Sequence, residues 1–190
     1  MAASSEGDGL HLDPLDRLRM AQWHIDRYDR LRSSTSSRAA VLLSADAALL
    51  AATIPIANSI LQRAGVVEWV IWATRGFAAL AMFSSVASIA FCTNAVAAWR
   101  TTRQVHQKEI PNRFVFNWGD TLKSVDGYSD FASTAASRSV ETVTGDAMAE
   151  LWTVILQHKR RHKHLGLGIH FFRCGTIFFV RAAIILLLFH

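Results

Sequence analysis

The stretch GFAALAMFSSVASIAFCTNAVAAW, residues 76–99, contains no Asp, Glu, Lys or Arg. As an α-helix it would be roughly 36 Å long, and a helix of about 20 apolar residues is already enough to cross the hydrocarbon core of a membrane. Only 18% of the whole chain is charged, whereas soluble domains carry about 25%. The stretch therefore predicts a transmembrane helix, which we place at residues 69–99.

Two further stretches have a suitable length. Residues 39–62 hold a single charge, Asp46, and residues 165–190 hold two, Arg173 and Arg181. The third stretch either spans the membrane or lies against it and the other two helices. Its length favours a span, because arginine side chains can snorkel toward the headgroups.

The distribution of Lys and Arg predicts the orientation. Six of them precede Ala39 and ten lie between Arg100 and His164, whereas Arg63 is the only one between the first two stretches. Cytoplasmic segments carry the excess of positive charge. The N-terminus and residues 100–164 of this multi-pass protein are therefore expected in the cytoplasm.

The remaining segments complete an all-α fold. Residues 1–12 are predicted to be disordered, and residues 13–38 to form a cytoplasmic amphipathic helix that Asp13 and Pro14 begin. The Ser-rich stretch 33–37 either interrupts this helix or continues into the first span. Residues 100–164 are expected to be helical beyond Gly127, as one long helix that runs into the third span after a two-helix transmembrane hairpin.

Three charged residues within the predicted spans, and one at the end of the second, are candidates for function. Asp46 and Arg173 lie at similar predicted depths, so they either form an ion pair or Asp46 lies among the headgroups. Arg181 is expected near Glu68 at the end of the second span. Arg173, Ile177 and Arg181 also share a helix face. Either this face lines an anion-tolerant pore in an oligomer, or the two arginine side chains snorkel toward the headgroups and pair within one subunit.

The run from His158 to His164 has the densest charge in the chain. His158 and His162 have the spacing of metal ligands, but the cations beside them disfavour a metal ion, and we predict none. Binding to anionic lipid headgroups explains the run better. The residues assigned to headgroup contact are Lys159, Arg160, Arg161 and Lys163.

Several classes of function lack support in the sequence. The formal charge of +5 comes from residues beside membrane ends, with no nucleic-acid-binding motif. The chain has no Gly-rich phosphate loop, nucleophile elbow or His-Glu-x-x-His. We therefore expect no enzyme, no cofactor and no nucleic-acid partner. Cys92 and Cys174 are interpreted as small buried hydrophobic residues.

The order of these parts resembles the transmembrane effector family of Pycsar antiphage systems, which are widespread in bacteria. The segments that carry the resemblance are HIDRYDRLR (24–32), SRAAVLLSADAALLA (37–51), Pro111, RFVFNWGDT (113–121) and LWTVILQHKRRHKHLGLGIHFF (151–172). The resemblance covers most of the chain from about residue 15. One departure is that Ser36 and Arg38 stand where such proteins often carry Asp and Lys before the first span.

The resemblance implies a membrane effector in a two-component defence. A neighbouring nucleotide cyclase would make cUMP or cCMP, and the effector, expected as a homo-oligomer, would then impair the inner membrane in abortive infection. The aromatic block suggests where such a ligand would bind, since aromatic rings stack on bases and cations meet phosphate. The residues involved either bind it or pack the cytoplasmic segment, and they are Arg113, Asn117, Trp118 and Lys123.

Two alternatives stand beside this expectation. The Ala- and Arg-rich composition suggests a GC-rich, actinobacterium-like host, and the chain also resembles the small structural membrane proteins of conjugative plasmid transfer in such hosts. The second alternative is a membrane-anchored interaction module without a known family. It would self-associate through its amphipathic helix and the heptad-like stripe of residues 140–158.

Overall fold

The structure, a computed structural model, describes residues 12–59, 67–97 and 112–189. Five helices follow one another in these residues, and the predicted all-α class is confirmed. They are α1 (Pro14–Ser59), α2 (Glu68–Val96), α3 (Trp118–Ser124), α4 (Tyr128–Ser137) and α5 (Val140–Leu188). Helices α1, α2 and α5 are long and apolar enough to cross a membrane. The predicted disorder of residues 1–12 falls almost wholly outside the described part of the chain.

Helix α1 includes both the predicted amphipathic helix and most of the first predicted span. The Ser-rich stretch 33–37 does not interrupt it, because the side chains of helical Ser and Thr can bond back to carbonyls of the preceding turn. Thr35 does this, donating its hydroxyl to the Leu31 carbonyl at 2.8 Å. Pro55 also lies inside the helix, as membrane helices tolerate.

The single helix expected beyond Gly127 is wrong in one respect, because the chain forms α4 and α5 there. Arg138 takes an extended backbone conformation after α4. Ser139 then begins α5, since its hydroxyl accepts a hydrogen bond from the Thr142 amide at 3.2 Å. Gly145 lies within α5, which continues to Leu188.

The chain divides into two compact units. The polar unit is formed by residues 12–30 and 112–157, and the apolar unit by residues 31–59, 67–97 and 158–189. Helices α1 and α5 each contribute residues to both units.

The polar unit has a small core of its own. Ala21 of α1 packs there with Ala147 and Leu151 of α5, and all three are buried. Partly buried residues surround them, namely Leu18, Ile25, Tyr28, Phe116 and Ile155. The apolar positions of α1 in this core are three and four residues apart, which places them on one helix face.

The core of the apolar unit is built from small side chains. The buried residues of α2 are Val70, Thr74, Ala78, Ala81, Ser84, Ser85, Ser88, Cys92 and Ala95. Between Thr74 and Ala95 they recur mostly at three- and four-residue spacing, so they form one seam along the helix. Small residues in such a seam let helix backbones approach closely, as is common between membrane helices.

Candidate functional site

Asp46 occupies the interior of the apolar unit. It lies on α1 and is 0% exposed. Ser88 of α2 donates its hydroxyl to Asp46 Oδ2 at 2.6 Å, and the carbonyl oxygen of Gly168 on α5 lies 3.0 Å from the same Ser88 Oγ. Side chain and backbone groups from all three long helices therefore meet at one point.

Two buried polar atoms near this point lack a hydrogen-bond partner among the described residues. They are Oδ1 of Asp46 and the hydroxyl oxygen of Ser85, which lies one turn before Ser88 on α2. A buried polar group without a partner is costly, by about 1–3 kcal/mol in proteins. Such groups are uncommon in folded proteins, and within a membrane segment a buried carboxylate is a candidate for function.

Glycines on α5 allow this close packing. A Cβ added at Gly168 would lie 2.6 Å from the sulfur of Cys92, closer than real side chains approach. One added at Gly175 would lie 3.3 Å from the Ser85 hydroxyl. The two glycines are seven residues apart, so they lie on the same face of α5, opposite the small residues of α2.

The ion pair predicted between Asp46 and Arg173 is wrong. Arg173 is exposed, and the two form no salt bridge in the described part of the chain. Asp46 is level with Gly168, and Arg173 lies five residues farther along α5, about 7.5 Å by helical rise. The buried carboxylate instead accepts a hydrogen bond from the Ser88 hydroxyl.

The ion pair predicted between Arg181 and Glu68 is also wrong. The Arg181 guanidinium lies over the Phe77 ring, 6.0 Å from its centroid, while Glu68 accepts a long hydrogen bond from Trp72 Nε1 at 3.5 Å. Phe77 is nine residues beyond Glu68 on α2, which separates the two levels by about 13 Å. Helices α2 and α5 run antiparallel, so Arg181, at the level of Phe77, lies too deep to meet Glu68.

The basic run 158–164 does not present all its cations to the surroundings. Lys159 and Lys163 are exposed and Arg160 is partly exposed, but Arg161 is only 3% exposed. The headgroup role predicted for Arg161 is therefore wrong, because contact with headgroups needs an exposed guanidinium. No group of three or more His, Cys, Asp or Glu residues suited to a metal ion occurs in the described ranges.

Arg113 forms the centre of a charged cluster in the polar unit. It is 4% exposed, and its Nε donates to Asp120 Oδ2 at 2.9 Å while Nη1 donates to Glu150 Oε2 at 3.0 Å. Burial raises the pKa of Glu150, which Arg113 opposes and the nearby carboxylates of Asp120 and Asp29 reinforce. Asp120 and Glu150, which were not predicted as site residues, thus bind two different nitrogens of the Arg113 guanidinium.

A second cationic side chain, Arg138, completes this region. Its guanidinium pairs with the Asp146 carboxylate and lies 4.5 Å from the centroid of the Phe114 ring. Phe114 is 1% exposed and contacts Phe131 of α4 at 5.6 Å between centroids. Burial raises the pKa of Asp146, while the positive charge of Arg138 lowers it. The aromatic block therefore packs within the polar unit.

The four residues predicted to bind a ligand separate into two kinds. Asn117 caps α3, its Oδ1 accepting hydrogen bonds from the amides of Gly119 and Asp120, and Arg113 is held by carboxylates as described above. Trp118, by contrast, is 80% exposed, and Lys123 is also exposed. Only Trp118 and Lys123 therefore present their side chains at the surface.

No family model, curated protein or solved structure matches the chain. The geometry described above gives two candidate sites. One is the buried Asp46 with Ser88 and Gly168, and the other is the exposed Trp118 with Lys123. Ser85, Ser88 and Gly168 were not predicted. Their one available signal is a set of polar and small residues recurring at helical spacing in otherwise apolar stretches.

Proposed function

We propose that the protein is a ligand-triggered membrane effector of a bacterial antiphage system of the Pycsar kind. The observation that supports this best is the buried carboxylate of Asp46, held between three helices that are apolar enough to span a membrane. Polar groups placed inside a membrane bundle are costly, and they commonly serve transport or gating. An inert anchor has no need of one.

The trigger acts on the polar unit. Helices α1 and α5 each contribute to both units, so a ligand that changes the polar unit acts on two of the three helices that surround Asp46. The polar unit has its own core and its own buried charges around Arg113. It is therefore a folded part of the chain on which a ligand can act.

The ligand in this proposal is a cyclic pyrimidine mononucleotide, cUMP or cCMP, made by a partner nucleotide cyclase. Trp118 is available to stack on a base and Lys123 to meet a phosphate. Asn117 and Arg113 hold the helix that carries both residues, since Asn117 caps it and Arg113 donates to Asp120 within it. Binding then leads to loss of membrane integrity and abortive infection.

The protein acts as a homo-oligomer in the bacterial inner membrane, with its N-terminus in the cytoplasm. The observation that supports this orientation is the excess of Lys and Arg before residue 39 and within residues 100–164. This orientation exposes the polar unit to the cytoplasm, where a nucleotide signal would be made.

Purified protein in dye-loaded vesicles tests the proposal. We expect cUMP or cCMP to release the dye and to bind in isothermal titration calorimetry, while the cyclic purine nucleotide cAMP serves as the control. Trp118→Ala should weaken binding without changing the thermal stability, because this side chain is 80% exposed. The absence of both dye leakage and heat of binding, with cUMP and with cCMP, would contradict the proposal.

A further inference from the structure

One face of α5 carries a stripe of cationic and polar side chains that extends deep into the predicted span. Its cationic and polar members are Lys159, Lys163, His170, Arg173 and Arg181, all exposed, and the exposed apolar residues Ile177 and Ile184 lie on the same face. At 100° per residue they lie within about 80° of one another around the helix. Lys159 and Arg181 are about 33 Å apart along the axis, which matches a hydrocarbon core of about 30 Å.

The stripe contains charges near the middle of the apolar unit. Gly175, two residues beyond Arg173, packs near Ala81 and Ser85, which lie near the centre of α2 (Glu68–Val96). Arg173 is therefore near mid-depth, too far from either headgroup layer for its side chain to reach fully. Neither Arg173 nor Arg181 forms a salt bridge in the described part of the chain.

Helix α2 presents a face of the opposite kind. Its exposed side chains along the same depth include Leu80, Phe83 and Val86, and Phe83 is 70% exposed. These residues suit contact with lipid tails. The exposed cations of α5 do not, because a charged side chain facing hydrocarbon is costly. One side of the apolar unit is therefore suited to lipid, and the side formed by α5 needs a different environment.

We propose that copies of this chain assemble with this face of α5 turned toward one another, and that it lines a water-filled path for small inorganic anions. The inference rests on the proposed membrane effector and names its oligomer surface and permeant ions. A second copy is the occupant, because cationic faces from several copies can enclose water and anions that screen their mutual repulsion, whereas lipid tails cannot. Rings of arginine give anion preference in pores.

Cross-linking tests the assembly without any nucleotide. Both cysteine variants are made in protein that also carries Cys174→Ser, and they are oxidised in membranes. Ile177→Cys should form disulfide-linked dimers, and Phe83→Cys should not. The two positions are matched, since Ile177 is 53% and Phe83 70% exposed. Equal cross-linking at both positions, or none at Ile177, would overturn the inferred interface.

Accessibility tests the path. An anionic, membrane-impermeant methanethiosulfonate reagent should modify Ile177→Cys in intact membranes but leave Phe83→Cys unmodified, because a lipid-facing thiol meets neither water nor the reagent. If Ile177→Cys is as unreactive as Phe83→Cys, α5 faces lipid and the inferred path does not exist.

Ion selectivity separates this inference from the proposed function. Vesicle leakage should favour chloride over potassium, and Arg173→Gln with Arg181→Gln should abolish that preference, while Arg75→Gln on α2 leaves it unchanged. Nucleotide-triggered leakage with no change of selectivity in the double variant would overturn the inference alone. Cross-linking and reagent access at residue 177 with no response to nucleotide would overturn the proposed function alone.

Discussion

The Ser88 hydroxyl lies between two acceptors, 2.6 Å from Asp46 Oδ2 and 3.0 Å from the Gly168 carbonyl oxygen. A hydroxyl has one hydrogen to donate and lone pairs that accept. Ser88 therefore connects α1 and α5 through a single side chain of α2. This relationship gives one oxygen of Asp46 a partner without the arginine that its predicted depth suggested, while Oδ1 has none among the described residues.

Substitution of Asp46 should separate the hydrogen bond from the charge. Asp46→Asn keeps an oxygen that accepts from Ser88 and should change the melting temperature little. Asp46→Ala loses the bond in a buried position and should destabilise the apolar unit by about 1–3 kcal/mol. Fluorescence-detected size-exclusion chromatography after heating detergent-purified protein measures both. Equal losses in the two variants would show that the bond to Ser88 is not what stabilises this site.

Gly168 should tolerate no side chain while Cys92 is present. Gly168→Ala places a Cβ 2.6 Å from the Cys92 sulfur, and overpacking of this kind costs about 1–3 kcal/mol. Adding Cys92→Ala to the same chain should restore much of the lost thermal stability. Gly166→Ala is the matched control, because nothing lies within 4 Å of its added Cβ. Similar losses at Gly166 and Gly168 would contradict the close packing of α5 on α2.

Removal of the Arg113 guanidinium should destabilise the polar unit strongly. Arg113→Gln leaves the carboxylates of Asp120 and Glu150 together without their shared cation, and breaking a buried pair costs about 3–5 kcal/mol. Arg27→Gln is the control, since that guanidinium is exposed and lies over Trp23 at 5.5 Å. Denaturant titration of the full chain in micelles compares the variants. A small loss for Arg113→Gln would show that the cluster is not a structural element.

Glu150 should make the stability of the polar unit depend on pH. Burial raises its pKa in the folded state, so the folded chain binds this proton more tightly than the unfolded chain does. The contribution of Glu150 to stability is therefore greatest at low pH and falls as pH rises from its ordinary pKa through its folded-state pKa. The difference in melting temperature between the wild type and Glu150→Gln should shift against the wild type over that window. A difference that stays constant with pH would contradict the assignment.

The sequence by itself determined the helical class and the three apolar helices. Hydropathy and the absence of charge over residues 76–99 are local properties, and a stretch that long without charge has few structures other than a membrane helix. The cationic face of α5 was also partly visible, because Arg173, Ile177 and Arg181 repeat at four-residue spacing.

Only the tertiary structure decided which groups meet. The partners of Asp46 and Arg113 depend on the register and rotation of packed helices, which one chain segment does not encode by its own pattern. Close approach at Gly168 and Gly175 sets the level of α5 against α2, which places Gly168 beside Ser88 and puts Arg173 and Arg181 on the exposed side. The predicted depths assumed spans counted from their apparent ends, and the packing of glycine against small residues shifted those levels.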